Sequence, residues 1–169
     1  MQTFRYAVPQ VAVHWLAALA VVFLLVTGTF VLADLPNDAG KLGNLAIHMA
    51  IGALAGFLVI VRVVLRRRLP AAPAAPSDKL AHAGHMALNL AVLLMAASGM
   101  VLALQSGVFD ALFGGGALPA DFKDFTPRKV HGLVSRLVMA FVALHVLAAL
   151  YHQLIVKDGL IARMTFGKK

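Results

Sequence analysis

The 169-residue chain contains no cysteine and no glutamate, and its seven aspartates all fall outside four long apolar runs. Without cysteine there are no disulfides, thiolate metal sites or thiol nucleophiles. Without a carboxylate inside a run there is no acidic ligand set for a zinc or di-iron centre. Charge is scarce too: 13% of residues are charged against 61% hydrophobic, with a mean hydropathy of +0.87. That balance excludes an ordinary soluble domain.

The apolar runs cover about 11–32, 45–65, 80–104 and 130–156. Each is close to the roughly 20 residues that cross a bilayer core. Backbone in lipid must satisfy its own hydrogen bonds, so the expected fold is all-α, an integral membrane four-helix bundle forming one domain over 1–169. The first run is expected to persist as a helix: it is too long for the core of a signal peptide, and no A-x-A cleavage pattern closes it. Between the second and third runs, "RRRLPAAPAAPSDK" (66–79) reads as a semi-rigid extended connector, with Ser77 or Asp78 as a helix cap. The mixed loop over about 105–128 is expected to lie on the membrane surface or over the helix ends. "TPRK" (126–129) reads as a capping Thr126 followed by a proline at the first helical position.

The net charge of +8 separates by side. With both termini cytoplasmic, Arg5, Arg62, Arg66–Arg68, Lys79, Lys157, Arg163, Lys168 and Lys169 face Asp78 and Asp158 on one side, for +8. The opposite side sums to −1, and Arg136 lies within the fourth run. The positive-inside rule gives this orientation, so the basic excess reflects topology and contact with anionic lipid. Nucleic acid is not an expected partner. "GGG" at 114–116 lacks the following Lys-Ser of a phosphate loop.

Seven histidines, His14, His48, His82, His85, His131, His145 and His152, all lie within or at the end of an apolar run. Ionisable groups inside a membrane point to function. His131 and His145 are 14 residues apart, so they share a helix face at depths roughly 21 Å apart. That spacing suits two stacked macrocycles, each taking one imidazole from the fourth helix and one from another. His48 lies level with His131 and forms the outer pair. His14 is the preferred inner partner of His145, with His82, His85 and His152 as alternatives on the same side. Two separated pairs fit bis-imidazole b-type haem better than a convergent metal site. Arg62, 14 residues after His48 on the same face, is placed to bind a haem propionate or a quinone head group, or else to snorkel to the boundary. Gly52, Gly56 and Gly132 are candidates for admitting a flat ring.

The motifs "VHWL" (13–16), "IHMAIG" (47–52), "LAHAGHMAL" (80–88), "HGLVSRL" (131–137) and "LHVLAALYHQLIVKDGLIARM" (144–164) resemble the bacterial cytochrome b561 family over nearly the whole chain. The resemblance implies a multi-pass protein of the bacterial inner membrane with two haem b groups. It implies axial ligands His14 with His145 and His48 with His131, and electron exchange with ubiquinone. A superoxide oxidase type within the family implies a periplasmic one-electron donor. An anion is drawn by positive charge; here the outer loops are slightly negative, with Lys123, Arg128 and Lys129 as a local basic cluster. The other readings are a haem-bearing anchor relaying electrons for a hydrogenase or dehydrogenase, and a haem-free bundle moving protons or zinc.

Overall fold

The computed structural model describes residues 4–70 and 78–166. Pro73, Pro76 and Ser77, read above as parts of the connector and cap, lie outside the described residues. The described chain forms α1 (Val8–Thr27), α2 (Ala39–Arg68), α3 (Asp78–Gln105), the short α4 (Val108–Phe113) and α5 (Thr126–Tyr151). Both α1 and α5 continue into a π-helical turn, Gly28–Leu32 and His152–Val156 respectively. No strand occurs among the described residues. Four helices, α1 with its π turn, α2, α3 and α5 with its π turn, are long and apolar enough to cross a membrane.

Local chemistry sets where these helices begin. Pro9 sits in the first turn of α1, where its missing N–H has no helical partner to lose. Asp38 accepts a hydrogen bond from Gly40 N–H at 2.9 Å and starts α2 at Ala39, ahead of the apolar run itself. At α5 the cap differs from the sequence reading. The extended Phe125, closing the 3₁₀ turn Phe122–Asp124, is the N-cap, and Thr126 and Pro127 are the first helical residues. Arg128 N–H already bonds Phe125 O at 3.0 Å, so the helical pattern begins one residue before a threonine cap would allow.

The closest helix packing is α3 against α5 and α1 against α2, with α2 and α3 joining the two pairs. A small apolar core of Val59, Ala91, Val92, Val134 and Val138 lies mid-bundle. On α5 the contributing Val134 and Val138 fall between His131 and His145. Outside, large apolar side chains dominate, including Leu19, Phe57, Leu104 and Leu147. Such an apolar exterior suits lipid, which removes the usual reason to bury them.

Each end of the bundle is tied. At the end opposite Arg66–Arg68, Phe122 packs with Ala103 and Val108 under α4. Lys41 is 7% exposed there. Its ammonium donates to Leu35 O at 2.9 Å and Asn37 Oδ1 at 2.8 Å, and it lies 5.7 Å from the Phe122 ring centre. At the basic end, Trp15 Nε1–H donates to Met164 O at 2.8 Å and Tyr6 N–H to Arg163 O at 3.1 Å, folding the C-terminal segment back over the start of α1.

Lys41→Met keeps the apolar stem and removes both charged hydrogen bonds. The expected loss is about 1–3 kcal/mol, read as a lower unfolding midpoint in detergent and faster proteolysis within the loop at 114–121.

Candidate functional site

Two pairs of imidazoles meet inside the bundle, at two depths. His48 of α2 and His131 of α5 have ring centres 6.3 Å apart, and His14 of α1 and His145 of α5 are 6.2 Å apart. Both pairs bridge helices that are not in close backbone contact, since α5 leans on α3. The rings span the space between the two helix pairs.

The level opposite the basic end is the better defined. Ser98 Oγ–H donates to Met95 O at 3.1 Å, and its oxygen lies 3.0 Å from His131 Nδ1. A hydroxyl has one proton to give, so Ser98 accepts from Nδ1–H, and in the neutral ring the lone pair falls on Nε2. On the other helix, His48 Nδ1 is buried and finds no hydrogen-bond partner among the described residues. Glycines make room for both rings. A Cβ at Gly99 would stand 3.1 Å from His131 Cε1, and one at Gly28 would stand 3.2 Å from His48 Cε1. The glycines read from sequence behave differently: Gly52 faces open space, Gly56 packs on Ala96, and Gly132 lies under the Arg128 guanidinium. Gly28 and Gly99 carried no periodic signal, because each touches a histidine on a different helix.

At the other level three imidazoles gather. His85 of α3 lies 5.4 Å from His145, closer than His14 does. Arg62 Nη1–H donates to Asn89 Oδ1 at 2.9 Å, one turn along α3 from His85. Its guanidinium stays within electrostatic reach of His14, His85 and His145. His82 stands apart, exposed, with Nδ1 3.5 Å from an Arg66 nitrogen. His152 is also elsewhere: its Nδ1–H donates to Asp158 Oδ2 at 2.7 Å. Arg136 is exposed on α5 and makes no side-chain hydrogen bond among the described residues.

Among the described residues no three histidine, cysteine or carboxylate side chains converge to hold a metal ion alone. A bare zinc site needs about four such ligands. Each pair can supply two ligands on opposite sides of a metal: with metal–nitrogen bonds of about 2 Å, the ring centres fall about 6 Å apart. The other positions then have to come from the bound group, as a tetrapyrrole provides. The donor set therefore fits haem with two imidazole ligands, and it defines a helical membrane haem protein.

Residues 5–167 match the family model described as prokaryotic cytochrome b561. The chain belongs to that family of b-type haem proteins of electron transport, and it is a multi-pass protein of the bacterial inner membrane. A protein named probable superoxide oxidase CybB from Yersinia pestis is 25% identical over 174 residues, covering 98% of both chains. Cytochrome b561 homolog 2 from Escherichia coli (strain K12) is 28% identical over 170 residues, covering 95% of this chain and 90% of the relative. No solved structure matches the chain.

At the basic end, the His152 hydrogen bond, with a second from Leu160 N–H at 3.0 Å, holds the Asp158 carboxyl below the usual carboxylate range. A depressed value means that the clasp stabilises the fold-back above the ordinary Asp pKa of about 3.9 and loses that effect as pH falls through the lowered value. Protection of amides 158–165 from hydrogen exchange, relative to the free chain at the same pH, is expected to be high at neutral pH and to be lost as pH falls through the lowered Asp158 value. In Asp158→Asn, faster exchange is expected at neutral pH already.

Proposed function

We propose that this protein is a diheme b-type cytochrome carrying electrons between a one-electron donor on the periplasmic side and the ubiquinone pool. The observation that carries this reading is the pair of imidazole couples, with ring centres 6.2 and 6.3 Å apart at two depths. In the proposed assignment His48 and His131 are the axial ligands of the outer haem, and His14 and His145 those of the inner haem. Bound haem supplies reversible one-electron iron chemistry.

The chain's own contributions follow from its geometry. With two imidazoles to hold each haem, oxygen and peroxide would find no open place on its iron, which would favour outer-sphere exchange. The Val59–Ala91–Val138 core excludes water between the two levels. Ser98 fixes the tautomer and orientation of His131. Arg62, with no aspartate in its helix or in α3 beyond Asp78, provides a cation for a propionate or a quinone oxygen. The excess of arginine and lysine at the end bearing Arg66–Arg68 supports a cytoplasmic position for both termini.

The donor side is the loop end, where Lys123, Arg128 and Lys129 stand close to His131 in sequence. The name of the Yersinia relative makes superoxide the donor to test first. Transfer from superoxide gives oxygen and one electron. Two such events, with two protons from water, reduce one quinone to quinol.

A reduced-minus-oxidised spectrum with haem counted per chain tests the assignment. The unmodified protein is expected to hold two haems, and His48→Ala, His131→Ala, His14→Ala and His145→Ala each to lose one. His85→Ala is expected to keep both; if it loses one while His14→Ala keeps both, His85 replaces His14 as the ligand. A colourless protein from haem-replete cells defeats the reading.

Ser98→Ala gives a finer readout. It removes the acceptor for Nδ1–H and leaves the imidazole a weaker electron donor to iron. Potentiometric titration is expected to show the outer midpoint potential shifted upward, the inner one unchanged, and two haems retained.

A further inference from the structure

On the outward side of α5 lies a polar notch that neither imidazole pair uses. Gly132 has no side chain to fill it, and the Arg128 guanidinium reaches along the helix over that glycine, 3.1 Å from where a Cβ would stand. Arg136 lies one turn further on, exposed among Leu133, Leu137 and Met139, which are 59%, 45% and 37% exposed. A helical side chain covers the turn on the N-terminal side of its own Cα. The Arg136 guanidinium therefore approaches Gly132 from one side as that of Arg128 does from the other. Lys129, seven residues before Arg136, is exposed and falls within about 20° of it round the helix. Arg136 itself is turned about 140° from His131, away from the imidazole pairs.

Three cations thus surround one small hollow, and the chain supplies no anion for it. Among the described residues the one side-chain ion pair is His152–Asp158, and neither Arg128 nor Arg136 makes a side-chain hydrogen bond. No aspartate falls within the four apolar runs, so a second copy of the chain docked on this face brings no carboxylate to the level of Arg136. Like charges crowded beside lipid repel more strongly than in water, and an unpaired charge there is costly. The anion has to come from outside the chain, and depth says which kind. The apolar run of α5 begins at about Val130, and Arg136 lies about 9 Å further in at the helical rise. A long arginine stem can carry its head back to the level of Gly132 and Lys129, where the head groups of that leaflet begin. Deeper in, the same face continues apolar through the small Ala140 and Ala143 to Leu147, all exposed. That track suits an acyl chain.

We infer that this notch binds the phosphate of an anionic phospholipid in the leaflet at the loop end of the bundle, with Arg128 and Arg136 donating to the phosphate oxygens and Lys129 adding charge at the head-group level. Two guanidinium forks suit a phosphodiester, because each gives parallel N–H donors to paired oxygens. The inference goes beyond the electron-carrying role and does not rest on it: it needs only that α5 spans the membrane. A foreign membrane helix bearing a carboxylate is the rival occupant. It has to lie along the whole face, whereas the cations gather at the head-group edge, where phosphates are.

The test uses the purified full chain with its haem, delipidated in detergent, and dioleoylphosphatidylglycerol as the probe. Native mass spectrometry counts bound lipid over a titration, with dioleoylphosphatidylcholine as the zwitterionic comparison. Arg136→Leu removes the deeper cation and leaves a side chain that lipid tolerates. Gly132→Leu keeps every charge and fills the notch. Arg67→Gln, which removes one cation at the other end of the bundle, is the control. Support consists of one phosphatidylglycerol held at least tenfold more tightly than phosphatidylcholine, at least tenfold weaker binding in both notch variants, an affinity within twofold in the control, and unchanged haem content throughout. Should one notch variant fail to fold, the other decides. Unchanged phosphatidylglycerol affinity in either folded notch variant overturns the inference. So does equal binding of the two lipids, or inorganic phosphate held as tightly as phosphatidylglycerol. A photoreactive side chain at position 133 that links in native membranes to protein and not to lipid also overturns it, and gives the face to a partner helix.

Discussion

The constraint on which the rest depends is that imidazoles inside a membrane need partners. A ring nitrogen surrounded by lipid-facing helices loses its hydrogen bonds to water, and an unpaired polar group there is costly. This bundle answers by setting histidines of α1 and α2 opposite those of α5, across the one direction in which its helices do not pack tightly. Helix packing and ring pairing are thus complementary. The α3–α5 and α1–α2 contacts fix two half-bundles, and the histidines occupy the seam between them.

The two levels are supported differently. His131 is held by a directional chain, imidazole to Ser98 to the Met95 carbonyl, and by Gly99, which lets the ring approach α3. His48 has Gly28 beside it and no acceptor among the described residues. At the other level the polar company is denser, with His14, His85 and His145 near the Arg62–Asn89 pair. A cation among neutral rings raises the local potential, which favours negative charge on whatever binds there.

The ends keep these levels in register. Lys41 joins the 33–38 turn to Phe122 at one end, and Trp15 and Tyr6 hold the fold-back of 160–165 at the other. Each tie uses a polar group on backbone that leaves the helical ladder, where free carbonyls are available. With so small an apolar core, such end ties limit how far the half-bundles can slide past one another.

Much was legible in the sequence because it follows from one-dimensional periodicity. Four runs of membrane length without acid, and His131 and His145 on one helical face, need only the rise and pitch of a helix. The pairing of His48 with His131 was also foreseeable, as equal distance from helix ends implies equal depth. What only the tertiary structure decided are relations between helices with no sequence period in common: Ser98 under His131, Gly28 and Gly99 in place of Gly52, Gly56 and Gly132, and Lys41 buried beneath Phe122. The same holds for His85 entering the inner cluster while His82, three residues away, turns out to Arg66. A helix's own pattern says which residues share a face, but which neighbour that face meets, and at what rotation, is set by the packing of the whole bundle.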